Sequence, residues 1–279
     1  MDDWSRTIRT TAASTHYLDA GAGPPVVLLH GSGPGSSAYS NWRLAIPVLA
    51  TERRCLAPDL SGFGRTVPDR PPTPDVWRWA DEVLALLDAL GLERIDVVGN
   101  SMGGAIALAL AVRAPDRVRR LVTMGSVGVP FELTPGLDAV WGYRPSLDAM
   151  RDLVRLFAFD PRYAEDDDLV RLRYEASADP AMADQYAALF PAPRQRWVDA
   201  AVIPEASLRG IRAPLLAVHG RDDRVVPLET SIRLVDLVPD SRLVVFPRCG
   251  HWVQVERAAE FADLVGWFLR RPDPEANGD

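Results

Sequence analysis

The sequence predicts a doubly wound, mostly parallel α/β sheet interrupted by a helical insertion, and three observations carry that prediction. Short, continuously apolar runs alternate with stretches whose apolar residues recur at helical spacing, the pattern of strands buried on both faces and of the helices that cover them. The alternation stops between residues 130 and 206 and then resumes. Finally, Gly99-Asn100-Ser101-Met102-Gly103-Gly104 stands where an apolar run, 95–98, turns directly into a small-residue helix, 105–114.

Taken in order, residues 6–20 mix Thr, Ala, His and Tyr and predict an edge hairpin with its turn near 20–24. Residues 25–29 form a buried parallel strand that ends in the loop His30-Gly31-Ser32-Gly33-Pro34-Gly35. Helix signals cover 41–49, a strand 54–58 and a glycine-containing loop 59–64. Val76, Ala80, Val83, Leu84, Leu87 and Leu90 make one apolar stripe, with Gly91 where a helix terminator belongs. After the Ser101 turn and its helix, ended by Pro115, residues 118–124 read as another strand.

A structureless loop as long as the following stretch is improbable in a compact domain. Leu147, Met150, Val154 and Phe157, then Leu169 and Leu172, fall at helical spacing between prolines, so 131–205 is expected to be a helical cap inserted into a core made of 1–130 and 206–279. Strand 214–218, helix 228–237, strand 242–246 and a last helix carrying Phe261, Leu264, Val265, Phe268 and Leu269 complete the core; the polar tail 271–279 is expected to be disordered.

Composition narrows the function. A chain of 279 residues, 47% hydrophobic, is long enough for one large α/β domain with an insertion, or for two small domains. A net charge of -7 without a basic cluster argues against a nucleic-acid partner. The acidic start Met1-Asp2-Asp3-Trp4 lacks a signal-peptide core, and no run approaches the roughly 18 apolar residues of a membrane span, which predicts a cytoplasmic protein with no membrane partner. Cys55 and Cys249 lie in unrelated strand-like segments and are read as small buried hydrophobes, so no disulfide framework or metal site is expected. All 31 basic residues are arginine, which excludes Schiff-base chemistry on lysine. Homo-oligomerisation is left open.

Strand, G-x-S-x-G and helix in succession form a nucleophile elbow, which exposes Ser101 at the carboxyl edge of the sheet with a helix N-terminus aimed at it. A serine hydroxyl needs a histidine to take its proton, and the histidine needs a carboxylate to fix its tautomer. Ser101, Asp223 and His251 occur in that chain order, each after a predicted strand. His16 lies in an edge segment, while His30 and His219 abut glycines at strand ends, where structural hydrogen bonding is the simpler role. Backbone N–H groups of Ser32 and Met102 are placed to form an oxyanion hole.

The strings HGSGPG with Asn41-Trp42-Arg43, GNSMGG, GRDDRVVP and CGHWVQVE, together with TPGLDAVWGYRPS and FPAPRQRWVDA in the insertion, resemble the meta-cleavage product hydrolases of the α/β-hydrolase superfamily, above all the branch acting on 2-hydroxymuconic semialdehyde and 2-hydroxy-6-oxohepta-2,4-dienoate. The resemblance spans nearly the whole chain. It implies an α/β-hydrolase fold, hydrolysis of a carbon-carbon bond in a small-molecule dienoate, and no cofactor. It matches Ser101, Asp223 and His251 to the triad, Ser32 and Met102 to the oxyanion hole, and Asn41, Asn100, Arg173 and Trp252 to dienoate binding. Arg171 is a second arginine in the same segment, and the match at Leu172-Arg173-Tyr174 selects Arg173.

A carboxylesterase of the same fold is the rival reading, distinguished by Asn41, Arg173 and Trp252, which a simple ester does not need. Dehalogenases and epoxide hydrolases place aspartate at the elbow, and Ser101 counts against them. A ligand receptor on this fold is the non-enzymatic alternative, excluded by turnover of any activated ester.

Overall fold

The computed structural model describes residues 3–272, so all but the first two residues of the expected disordered tail lie outside the described residues. In chain order the elements are β1 (Ser5–Arg9), β2 (Ala13–Ala20), β3 (Pro25–Leu29), α1 (Ala38–Trp42), α2 (Ile46–Leu49), β4 (Arg54–Pro58), β5 (Val67–Pro68), α3 (Val76–Ala89), β6 (Ile95–Asn100), α4 (Met102–Arg113) and β7 (Val118–Met124). Then come α5 (Pro135–Trp141), α6 (Leu147–Phe157), α7 (Arg162–Glu165), α8 (Asp167–Glu175), α9 (Pro180–Leu189), α10 (Gln195–Ala200) and α11 (Glu205–Arg209). The chain finishes with β8 (Leu215–Gly220), α12 (Leu228–Leu237), β9 (Ser241–Phe246), α13 (Val253–Glu256) and α14 (Ala258–Arg270).

The strands form one sheet in the order β1-β2-β4-β3-β6-β7-β8-β9, parallel from β4 onward, with β2 antiparallel to β1, β4 and β5. This is the α/β-hydrolase arrangement, a mostly parallel sheet with helices on both faces. β4 lies on one side of β3 and β6 on the other, so the order reverses between β3 and β6. A crevice opens at such a switch point, outside the carboxyl ends of the two strands. Ser32 follows β3 and Ser101 follows β6.

Two local readings change. The first hairpin turns at 10–12, where Thr10 Oγ1 accepts hydrogen bonds from the backbone of Ala12 and Ala13. A threonine side chain thus closes the turn, and the Gly-Pro stretch at 21–24 instead links β2 to the parallel β3. The helix expected over 41–49 is two short helices. α1 starts earlier, at a reciprocal cap between Ser37 and Ser40, and Pro47 admits only the first turn of a new helix.

α4 is buried all round from Met102 to Ala111, wedged against β3, β6, β7 and α3. Glycine permits the wedge. A Cβ on Gly103 would stand 2.3 Å from Leu29 O, and one on Gly104 would stand 2.2 Å from Ser126 Oγ. Gly103→Ala is therefore expected to cost about 1–3 kcal/mol in urea unfolding. The same loss in Gly104→Ala should be largely recovered by adding Ser126→Gly, because there the obstructing atoms belong to a side chain. Unchanged stability in either single variant would contradict the close approach.

Candidate active site

Ser101 occupies the tight turn from β6 to α4 with φ 55° and ψ -118°, a left-handed backbone that a serine adopts only under constraint. Its backbone N–H donates to Met124 O at 2.8 Å, and an amide hydrogen of Asn100 donates to the same oxygen at 3.2 Å. The side chain is thereby carried to the floor of a solvent-connected cavity between the sheet edge and the helical insert.

His251 reaches the cavity from the loop after β9, and Asp223, from the loop after β8, stands behind it. His251 Nδ1 lies 2.7 Å from Asp223 Oδ2, and both side chains are buried. Asp223 Oδ1 accepts from the N–H groups of Val225 and Val226 at 2.7 and 3.0 Å, and His219 Nε2 stands 3.4 Å from Oδ2. Burial alone would raise the Asp223 carboxyl, but His251 and His219 with these hydrogen bonds outweigh it and hold it well below the usual carboxylate range. Asp223 therefore stays ionised at neutral pH, as an orienting anion must. Ser101 and His251 line the same cavity with no hydrogen bond between them among the described residues.

The other histidines have different partners. His30 lies 2.8 Å from Gly31 O through Nδ1 and accepts from Leu60 N at Nε2, and burial lowers its basicity. His219 bonds Ser231 Oγ and Val226 O, and His16 bonds Asp59 and Ser5. Asp222 is not turned to His251; its carboxylate sits 3.6 Å from Arg221 Nε.

Among the described residues no hydrogen bond is found from the backbone N–H of Ser32 or Met102. The Met102 side chain is buried in the core and takes no part in the cavity wall. Ser32 is held from the insert: Trp141 Nε1 donates to its Oγ at 3.0 Å, and Tyr186 Oη lies 3.1 Å from its carbonyl.

Asn41, Asn100, Arg173 and Trp252 all line the cavity. Trp252 stacks on Phe157 of α6 at 4.6 Å, and the Arg173 guanidinium lies 5.2 Å from the Trp252 ring centre. Arg173 is 8% exposed and Arg171 is exposed on the outer side of α8. Among the described residues Arg173 donates only to Pro34 O, at 3.3 Å, its Nε has no partner, and no carboxylate pairs with it. Burial, reinforced by the neighbouring Arg43 cation, lowers its pKa to about 10. The Asn41 amide nitrogen is likewise buried and unpaired. Buried donors of this kind carry a standing cost unless a ligand supplies the acceptor.

A family model of the α/β hydrolase fold matches residues 24–258. The chain is 51% identical to a 2-hydroxymuconate semialdehyde hydrolase of Pseudomonas sp. strain CF600, over 97% of this chain and 95% of that protein. It is 52% identical to a 2-hydroxy-6-oxo-2,4-heptadienoate hydrolase of Pseudomonas putida, over 96% and 97%. A solved meta-cleavage product hydrolase from Pseudomonas fluorescens IP01 superposes with a TM-score of 0.93 at 44% identity, covering 98% of each chain. The chain belongs to the meta-cleavage product hydrolases of the α/β hydrolase fold.

Three contributors to the site escape a reading by motif. Gly125, after β7, has φ 51°, and a Cβ there would stand 3.0 Å from His251 Nδ1 and 3.1 Å from Asp223 Oδ2, so its lack of a side chain makes room for the His251–Asp223 pair. Phe157 reads in sequence as an ordinary core position of a helix, yet its ring lies 6.0 Å from His251 as well as on Trp252. Gln254 is buried in the cavity wall with an unpaired carbonyl oxygen, and its place in the CGHWVQVE string is the one signal that marked it.

Two outcomes follow from this geometry. Asp223→Asn should reduce hydrolytic turnover roughly a thousandfold or more, while Asp222→Asn stays within about tenfold of wild type; the reverse ranking would remove Asp223 from its role. Arg173→Gln should raise the stability of the unliganded protein by about 1–3 kcal/mol in urea unfolding at pH 7. The guanidinium is charged in both folded and unfolded chains at that pH, so this gain does not vary across the neutral range. A destabilised variant would mean that Arg173 is satisfied without ligand.

Proposed function

We propose that this hydrolase cleaves the C5–C6 bond of 2-hydroxy-6-oxo-2,4-dienoates derived from monocyclic catechols, giving 2-hydroxypenta-2,4-dienoate and a small carboxylic acid. The observation that carries the reading is Arg173, a buried guanidinium without a counterion in the cavity that also holds Ser101 and His251. A simple ester has no anion to offer it, whereas the dienoate brings a carboxylate. Asn41, Asn100 and Trp252 complete the carboxylate end, and the insert 131–205 serves as the cap that closes over it.

A carbanion is a poor leaving group, so the dienol must first become its keto tautomer. His251 moves that proton, with Asp223 stabilising the imidazolium. Ser101 then delivers an oxygen nucleophile to the C6 carbonyl, either its own or that of a water it activates, and the N–H groups of Ser32 and Met102 hold the resulting oxyanion. Water supplies the oxygen of the acid product. The residues present suffice for this chemistry, and the reading places the enzyme in the cytoplasm.

The purified protein should bleach the visible absorbance of 2-hydroxy-6-oxohepta-2,4-dienoate. Ser101→Ala should retain dienoate binding and lose turnover by about three orders of magnitude or more, His251→Ala should lose as much, and the double variant little beyond either, because the two act as a unit. Arg173→Gln should lose roughly 2–4 kcal/mol of transition-state stabilisation on the dienoate and far less on a neutral aryl acetate. Equal losses on the two substrates, or efficient ester hydrolysis with an inert dienoate, would return the assignment to a carboxylesterase.

A further inference from the structure

Arg173 is not the only cation in the cavity. Arg43, at the C-cap of α1, also lines it, with Nη1 donating to Ser40 O at 2.8 Å. Neither Arg43 nor Arg173 forms an ion pair among the described residues, and no carboxylate side chain lines the cavity. Asp223 lies behind His251 and is committed to it. Arg43 is also near enough for its charge to act on Arg173. Two uncompensated guanidiniums face one ligand, although the dienoate carboxylate neutralises only one of them.

The chemistry of cleavage supplies the second charge; this step rests on the dienoate reading above. When the C5–C6 bond of the keto tautomer breaks, its electron pair passes to C5 and, through the C3–C4 double bond, to the oxygen on C2. Protonation of that oxygen yields 2-hydroxypenta-2,4-dienoate, while the acyl half takes its oxygen from water. The C2 oxygen is adjacent to the carboxylate, so the leaving group is a dianion with both charges at one end. We propose that Arg43 is a second cation of the dienoate site, stabilising the enolate charge that develops on the C2 oxygen while Arg173 holds the carboxylate. The sequence reading quotes Arg43 only within the Asn41-Trp42-Arg43 string and gives it no role.

The enol of the bound substrate offers a direct probe. The charged and titratable groups turned to the cavity are Arg43, Arg173 and His251, with Asp223 behind His251 and Tyr143 within electrostatic reach of Arg173. In a Ser101→Ala background, 2-hydroxy-6-oxohepta-2,4-dienoate binds without turnover, and its visible spectrum reports ionisation of the C2 hydroxyl. A nearby cation favours the ionised form, so Arg43→Met should move the titration midpoint upward by about one unit or more, and Arg43→Lys should restore much of the shift. With Ser101 in place, Arg43→Met should lower kcat on the dienoate roughly 10- to 100-fold and lower the dienoate-to-aryl-acetate ratio of kcat/KM with it. An unmoved midpoint, equal losses on both substrates, or an Arg43→Lys variant as impaired as Arg43→Met would overturn the inference. If the wild-type protein fails to turn over the dienoate, it is the functional reading that falls; if wild type succeeds and the Arg43 variants match it, only the role of Arg43 falls.

Discussion

The site depends on how closely α4 approaches the ends of β3 and β6. Ser101 is held at a positive φ because the backbone must reverse within one residue to start a helix that is already in contact with the strand before it. A Cβ on Gly99 would stand 2.1 Å from Gly103 O, so strand and helix touch backbone to backbone at the turn. The hydrogen bond from Ser101 N to Met124 O ties the turn to the next strand. Strain of this kind persists only where surrounding structure over-determines it, and the fully buried α4 provides that. Because the turn is forced, the hydroxyl is carried to the cavity, and the first N–H of α4 has no intrahelical acceptor.

The insert acts on the core through few but specific contacts. Trp141 and Tyr186 grip the loop that carries Ser32, and Trp141 is itself stacked on Phe190 at 4.6 Å. At the opposite wall, Trp252 N donates to Phe157 O, and Glu256 accepts from the backbones of Gly250, Phe159 and Asp160, so the loop leading to His251 and the end of α6 share one carboxylate. The loop of Ser32 and the loop of His251 are thus both fastened to the insert, and movement of the insert would be felt at both.

Charge placement separates stability from function here. Several surface arginines, such as Arg9, Arg54 and Arg113, sit against aspartates in exposed or half-buried pairs, which contribute little. Arg173 is buried without such a partner, and its cost falls on the unliganded protein. Under the proposed function an anionic substrate would recover that cost on binding, so the side chain that weakens the fold would also select for a carboxylate.

The sequence alone determined the sheet class, the elbow and the order Ser101, Asp223, His251. These are local features: a strand buried on both faces must be a continuous apolar run, a backbone-to-backbone contact must be glycine, and each reactive residue follows a strand whose carboxyl end is fixed by the parallel sheet. The split of the 41–49 helix was also legible in principle, through Pro47, and was missed because the apolar spacing outweighed the proline. Tertiary structure decided the rest. Periodicity places Phe157 on a buried helix face without saying what that face meets, and it does not distinguish Arg43 at a cavity wall from an arginine in water. Gly125 looks like any glycine after a strand until His251 and Asp223 arrive from loops more than 90 residues further along the chain. Contacts between residues so far apart are set by how the sheet orders its strands and how the insert folds back over them, and one residue's identity holds no record of the neighbour it will meet there.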